Sequence, residues 1–169
     1  MQILVSDTSC LIDLRKASLL GAFVQLNYDL VIPDVLFEEE LVQFSQAEKE
    51  LIEKTFRIVS LPGEKVLRVQ KVNRDYPALS LNDCFAFVVA EQIPDCILMT
   101  GDGKLRDLAS SSGIEVHGIL WAIDEMYDGQ VATVNQLYSA LLLFKKDSTV
   151  RLPASSLNRQ IEKYKFLLE

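Results

Sequence analysis

Histidine is almost missing from this chain, and that already narrows its chemistry. Among 169 residues there is one, His117. A catalytic triad built on imidazole, or a histidine-rich metal site, is therefore disfavoured. Cysteine is scarce as well. Cys10, Cys84 and Cys96 are an odd count, widely spaced among apolar neighbours. That is the pattern of reduced core residues, not of a disulfide framework or a zinc site. Seven glycines and five prolines are too few for a disordered chain. No apolar run reaches the ~18 residues of a membrane span. The opening residues Met1-Gln2-Ile3-Leu4-Val5-Ser6-Asp7 carry no basic n-region. No signal peptide is expected, and the expected location is the cytoplasm. There is no internal repeat, and Gly101-Asp102-Gly103 has too few glycines for a Walker loop or a dinucleotide fingerprint.

Basic charge is in short supply too. The net charge is −7, and it is unevenly spread. Residues 145–169 hold six Lys/Arg against three acids, which leaves the rest of the chain at −10. A duplex-DNA reader would show a basic stripe, and an acidic body does not. The basic tail is either a contact for nucleic acid or an acidic partner, or a solvated helix face.

What the chain does have is apolar content, 49 % of its residues, enough for one domain with a sizeable core. Short apolar runs read as strands over 2–6, 29–32, 57–61, 96–99 and 115–117. Between and after them, helices are expected over 8–13, 19–26, 34–44, 47–55, 64–74, 81–91, 104–111, 122–127, 134–144 and 157–168. Alternating strands and helices make an α/β fold with a parallel sheet covered on both faces. Residues 148–153 resemble a linker. The expected organisation is a main domain over 1–147 and a C-terminal linker and helix over 148–169, either an arm or a packed extension.

Four acids stand out against this frame: Asp7, Glu39, Asp83 and Asp102. Asp7 and Asp102 follow buried strands, where parallel sheets bind ligands. Asp83 opens the apolar helix over 81–91. Glu39 lies on the apolar stripe of the helix from Asp34, between Val35, Leu36 and Val42, at ~100° per residue. Glu38 and Glu40 fall at the edges of that stripe, so the register among the three glutamates stays open. Each acid has an ordinary explanation: Asp7 and Asp102 as helix caps, Asp83 in a capping box with Ser80, and Glu39 as solvated charge. Their joint placement is less ordinary. If the first and fourth strands are neighbours, all four converge on one pocket. Carboxylates there call for a cation between them, and a divalent metal held by carboxylates usually serves phosphate chemistry.

These segments resemble the PIN-domain nucleases. The matching pieces are Val5-Ser6-Asp7-Thr8-Ser9-Cys10-Leu11-Ile12-Asp13, Ile32-Pro33 running into Glu38-Glu39-Glu40-Leu41, Leu79-Ser80-Leu81-Asn82-Asp83, and Ile97-Leu98-Met99-Thr100-Gly101-Asp102-Gly103-Lys104-Leu105, with Gly113-Ile114-Glu115-Val116-His117-Gly118 following. The resemblance runs from Met1 to about Met126. The helical tail beyond Pro153 looks similar to bacterial members related to VapC-type toxin–antitoxin ribonucleases. The resemblance implies a three-layer α/β/α sandwich with a five-stranded parallel sheet in the order 3-2-1-4-5. It implies an Mg²⁺- or Mn²⁺-dependent phosphodiesterase acting on single-stranded RNA. Asp7, Glu39, Asp83 and Asp102 would be both the metal ligands and the catalytic acids. Thr8 or Ser9 would hold a backbone phosphate, and Thr100 would support the site by hydrogen bonding. A small antitoxin protein and a homodimer are the implied partners, and the apolar residues of 137–144 are either a dimer face or part of the monomer core.

Other readings share parts of this pattern. A housekeeping RNA-processing nuclease would carry the same acids. An aspartate-nucleophile phosphatase would usually have a second Asp two residues after Asp7, where this chain has Ser9. A non-catalytic RNA- or protein-binding module on the same fold would not need the complete acid set.

Overall fold

Strands that are apolar at nearly every position have no face to offer water, so they belong in the middle of a covered sheet. In the computed structural model, which describes residues 1–169, they do. The strands are β1 (Ile3–Ser6), β2 (Asp29–Pro33), β3 (Phe56–Val59), β4 (Ile97–Met99) and β5 (Glu115–His117). All pair in parallel, in the order β3-β2-β1-β4-β5. Val5 stands between Val31 and Leu98, so β1 is central. The sheet is the expected one, and it forms the middle of an α/β/α sandwich.

The helices are α1 (Thr8–Lys16), α2 (Leu20–Phe23), α3 (Asp34–Glu40), α4 (Gln46–Thr55), α5 (Gly63–Asp75), α6 (Leu81–Glu91), α7 (Gly103–Ser111), α8 (Ile119–Asp128), α9 (Val134–Lys146) and α10 (Ala154–Leu168). The chain steps from β1 through β2 to β3, then returns to β4 and β5 on the other side of β1. Right-handed crossovers therefore put α1 to α4 over one face and α5 to α7 over the other. α8 packs on α1 and α2, and α9 on α8.

Several helices differ from expectation: α1 runs on to Lys16, α2 is only Leu20–Phe23 where 19–26 was expected, and α10 begins at Ala154 rather than at 157. α3 ends at Glu40, whereas 34–44 was expected. Ser45 begins a new helix with a reciprocal capping box to Glu48, and its extended backbone (φ −67°, ψ 164°) interrupts any longer helix. Leu41 is buried at the junction, and Val42 is left 70 % exposed. α8 begins at Ile119 rather than at 122, with Gly118 before it.

Forty-five buried apolar residues form one core cluster. It includes Leu157, Ile161 and Tyr164 of α10, so the tail helix is packed into the body, against α9. In α9, Leu137, Ala140, Leu141 and Phe144 are buried, while Leu142 and Leu143 face outward. All three cysteines are free and buried. No helix is long and apolar enough to cross a membrane.

Candidate active site

The strand order reverses at β1 and β4, and the crevice beyond their carboxyl ends is where such sheets bind ligands. Asp7 is the first residue past β1. Its N–H donates to the Met99 carbonyl at 2.9 Å, which ties it to the end of β4. One carboxylate oxygen, Oδ1, caps α1 by accepting the Thr8 N–H at 2.8 Å. The other, Oδ2, accepts two hydroxyls: Thr100 at 2.8 Å and Ser9 at 3.1 Å. Each hydroxyl in turn accepts a main-chain N–H from the loop after β4. Asp102 N–H donates to Thr100 Oγ1 and Gly101 N–H to Ser9 Oγ, both at 3.0 Å. Two hydroxyls thus fasten the Gly101–Asp102 loop to Asp7.

Asp7 is 4 % exposed. Burial pushes its carboxyl up to about 6, against the Thr100 and Ser9 hydrogen bonds, which favour the charged form. The negative charges of Asp83 and Glu40 push it further in the same direction. None of Asp7, Glu40, Asp83 and Asp102 takes part in any of the protein's ion pairs. Arg106, though close by, donates to the Thr100 carbonyl at 3.3 Å and not to a carboxylate.

Asp83 sits in the first turn of α6. Its Oδ2 accepts the Ser80 N–H while its own N–H donates to Ser80 Oγ, both at 3.0 Å. Asp102 is the N-cap of α7, with Oδ1 accepting the Leu105 N–H at 2.8 Å. Each of these two acids keeps its second oxygen free of protein hydrogen bonds.

The structure brings Glu40, not Glu39, to Asp7. The Thr8 hydroxyl donates to Glu40 Oε2, and the Glu40 charge acts on Asp7. Glu39 is exposed and accepts from Asn82 Nδ2 at 3.3 Å, at the rim; Glu38 is exposed as well. Val42, which would place Glu39 on the apolar stripe, lies past the end of α3. Leu36 is fully buried, and one helical turn beyond it is Glu40. That i, i+4 relation was the available signal. Thr100, expected to support the site, donates a hydrogen bond to Asp7 Oδ2. Thr8 and Ser9, one or the other expected to hold a phosphate, give their hydroxyl protons to Glu40 and Asp7.

The donor set suits a hard cation. It is made of carboxylate and hydroxyl oxygens, with no lysine or arginine ion-paired to the carboxylates. No three His, Cys, Asp or Glu side chains stand close enough together to form a ligand group as they are. Asp83 and Glu40 act on Asp7 through their charge and Asp102 is tied to it through Thr100, but the acids are not closed into a cage.

A family model described as a PIN domain matches residues 3–165. The chain belongs to the PIN-domain family, whose members are generally nucleases using divalent metals. No curated protein aligns with it significantly.

Proposed function

We propose that this protein is a metal-dependent endoribonuclease that cleaves single-stranded RNA, and that it is the toxin of a toxin–antitoxin pair. The observation that carries the nuclease reading is Asp7, a buried carboxylate at the sheet's switch point. It faces two further negative charges and has no cationic partner. Such a group is costly to keep unless a cation or a positive ligand enters the crevice.

Asp7 and Asp102 are proposed as metal-binding residues, with Asp83 binding directly or through water. Glu40 takes the role expected of Glu39, orienting the attacking water or taking its proton. Thr100 and Ser9 fix the Asp7 carboxylate through Oδ2, and Thr100 and Ser9 also hold the loop that presents Asp102. A bound Mg²⁺ or Mn²⁺ supplies Lewis-acid activation of water and offsets charge on the phosphate. A small antitoxin and a second copy of the chain are the proposed partners, in the cytoplasm. Outward-facing Leu142 and Leu143, with Phe166 75 % exposed, support a dimer face on the last two helices. A housekeeping RNA-processing role uses the same chemistry, and an antitoxin gene beside this one separates the two.

The test is degradation of single-stranded RNA with Mn²⁺, with EDTA, and by the Asp7→Asn variant. Cleavage should require the metal and be lost in the variant. Cleavage undiminished in EDTA or in the variant overturns the mechanism. No cleavage under any condition leaves a non-catalytic binding module.

A further inference from the structure

The acidic body has one cleft of opposite character, and it abuts the candidate site. It encloses about 740 Å³ between the β5–α8 turn and the C-terminal segment. Gly101 and Gly103, on either side of Asp102, line one end of it. Arg106, Arg151, Arg159 and Lys163 line it as well, against a single acid, Asp124. That acid is already engaged by Lys163 at 2.8 Å. Arg151 and Arg159 are exposed and make no ion pair or side-chain hydrogen bond, so their donors are free. In a chain of net charge −7, this leaves a local excess of about three positive charges beside Asp102.

The backbone is shaped to allow it. A Cβ on Gly118 would stand 2.9 Å from Arg106 Nη2 and 3.5 Å from the Thr100 carbonyl. Glycine at 118 therefore leaves room for the Arg106 guanidinium, which lines the cleft and donates to the Thr100 carbonyl just past β4. At the rim, His117 and Trp121 stack with ring centroids 4.4 Å apart and planes at 10°. The far wall belongs to α10, which is held in place by the buried Tyr164 hydroxyl donating to Asp124 at 2.8 Å.

We propose that this cleft holds the backbone phosphates of a single RNA strand flanking the cleavage point, with Arg151 and Arg159 as the phosphate-binding residues. The choice of RNA rests on the nuclease reading. Guanidinium groups match phosphate oxygens in a two-pronged geometry and remain charged at any working pH. A strand lying on them runs past Gly103 and Gly101 to the acids. The basic tail seen in the sequence thus becomes one wall of a substrate path.

The experiment measures binding of a short fluorescein-labelled single-stranded RNA by anisotropy in EDTA, which needs neither metal nor cleavage. Arg151→Gln/Arg159→Gln should weaken binding at least about tenfold at fixed salt, as loss of hydrogen bonds to charged groups implies. The slope of log K against log salt should become shallower by about 1.4, at ~0.7 per lost phosphate contact on a single strand. Lys145→Gln/Lys146→Gln removes the same charge outside the cleft and should leave affinity unchanged. Unchanged melting curves for both pairs show that the fold is intact. Equal weakening by the two pairs, or none by the arginine pair, overturns the proposal. So does wild-type protein that binds polyglutamate but not RNA, which would make the cleft a dock for an acidic protein. If RNA binds through the arginines but Mn²⁺ never supports cleavage, the cleft stands and the nuclease reading falls.

Discussion

Asp7→Asn should stabilise the metal-free protein while removing its activity. In the fold the Asp7 carboxyl titrates at about 6, against about 3.8 in the unfolded chain, chiefly because it is buried. At ~1.4 kcal/mol per unit, keeping it ionised at neutral pH costs about 3 kcal/mol. The folded protein holds this proton more tightly than the unfolded chain does. Stability therefore falls as pH rises from about 4 to about 6; the penalty is complete above that range and absent below it. Asparagine carries no charge and keeps the oxygen that caps α1 through the Thr8 N–H. Its amide NH₂ then faces the Thr100 and Ser9 hydroxyls, which must turn to accept, at about 1 kcal/mol. The net gain is about 2 kcal/mol. At ~2–4 °C per kcal/mol for a chain of this size, Tm rises by roughly 4–8 °C. Circular dichroism melts in EDTA at pH 7.5 and pH 4 test this. The gain should appear at pH 7.5 and vanish at pH 4, where Asp7 is protonated in the fold. A variant that is less stable at pH 7.5, or equally stabilised at both pH values, refutes the account of Asp7. Mn²⁺ at about a hundred times Kd should then reverse the ranking. It adds about 2.7 kcal/mol to the wild type and nothing to Asp7→Asn.

Glu40→Gln should lower RNA cleavage by about 10–100-fold, while Glu38→Gln and Glu39→Gln stay near the wild-type rate; the reverse ranking returns the site to Glu39. At low Mn²⁺, cleavage should fall as pH drops through about 6, where Asp7 takes up a proton. Thr100→Val deletes a hydrogen bond that favours the carboxylate and should move this acid limb to higher pH. Added Mn²⁺ should move it lower, because ion and proton compete; a limb fixed in both cases contradicts the assignment. Tyr164→Ala empties a fully buried site in α10 and should cost about 3–5 kcal/mol in a denaturant titration. A neutral result would mean that the tail is not part of the core.

The sheet was legible in the sequence because its central strands are short, apolar and bounded by turns or acids. Ile3 to Ser6 and Ile97 to Met99 announce themselves by composition alone. The candidacy of Asp7, Asp83 and Asp102 was legible for a related reason: each sits where an apolar element begins or ends. Glu40 was not, because choosing among three adjacent glutamates needs the end of α3, and that end is set by the Ser45–Glu48 capping box farther along the chain. The roles of Ser9 and Thr8 were hidden too. A hydroxyl's partner depends on which carboxylate the fold brings within 3 Å or so, and residue order does not record that. The cleft draws its walls from Gly101, Gly118 and α10, so it exists only after the tail has folded back onto α8 and α9. Composition shows the tail's charge but not its destination.

Two of the site acids do a second job, and that has a consequence for descent. Asp7 and Asp102 are the N-caps of α1 and α7. Asparagine caps a helix about as well as aspartate. A single base change that turns either into asparagine would silence the proposed chemistry without dismantling a helix, and at position 7 it relieves a buried charge as well. Selection for folding alone would therefore drift away from the proposed catalysis. The aspartates persist only while something the molecule does repays their presence, and a lineage released from that demand would pass readily into folded, inert descendants.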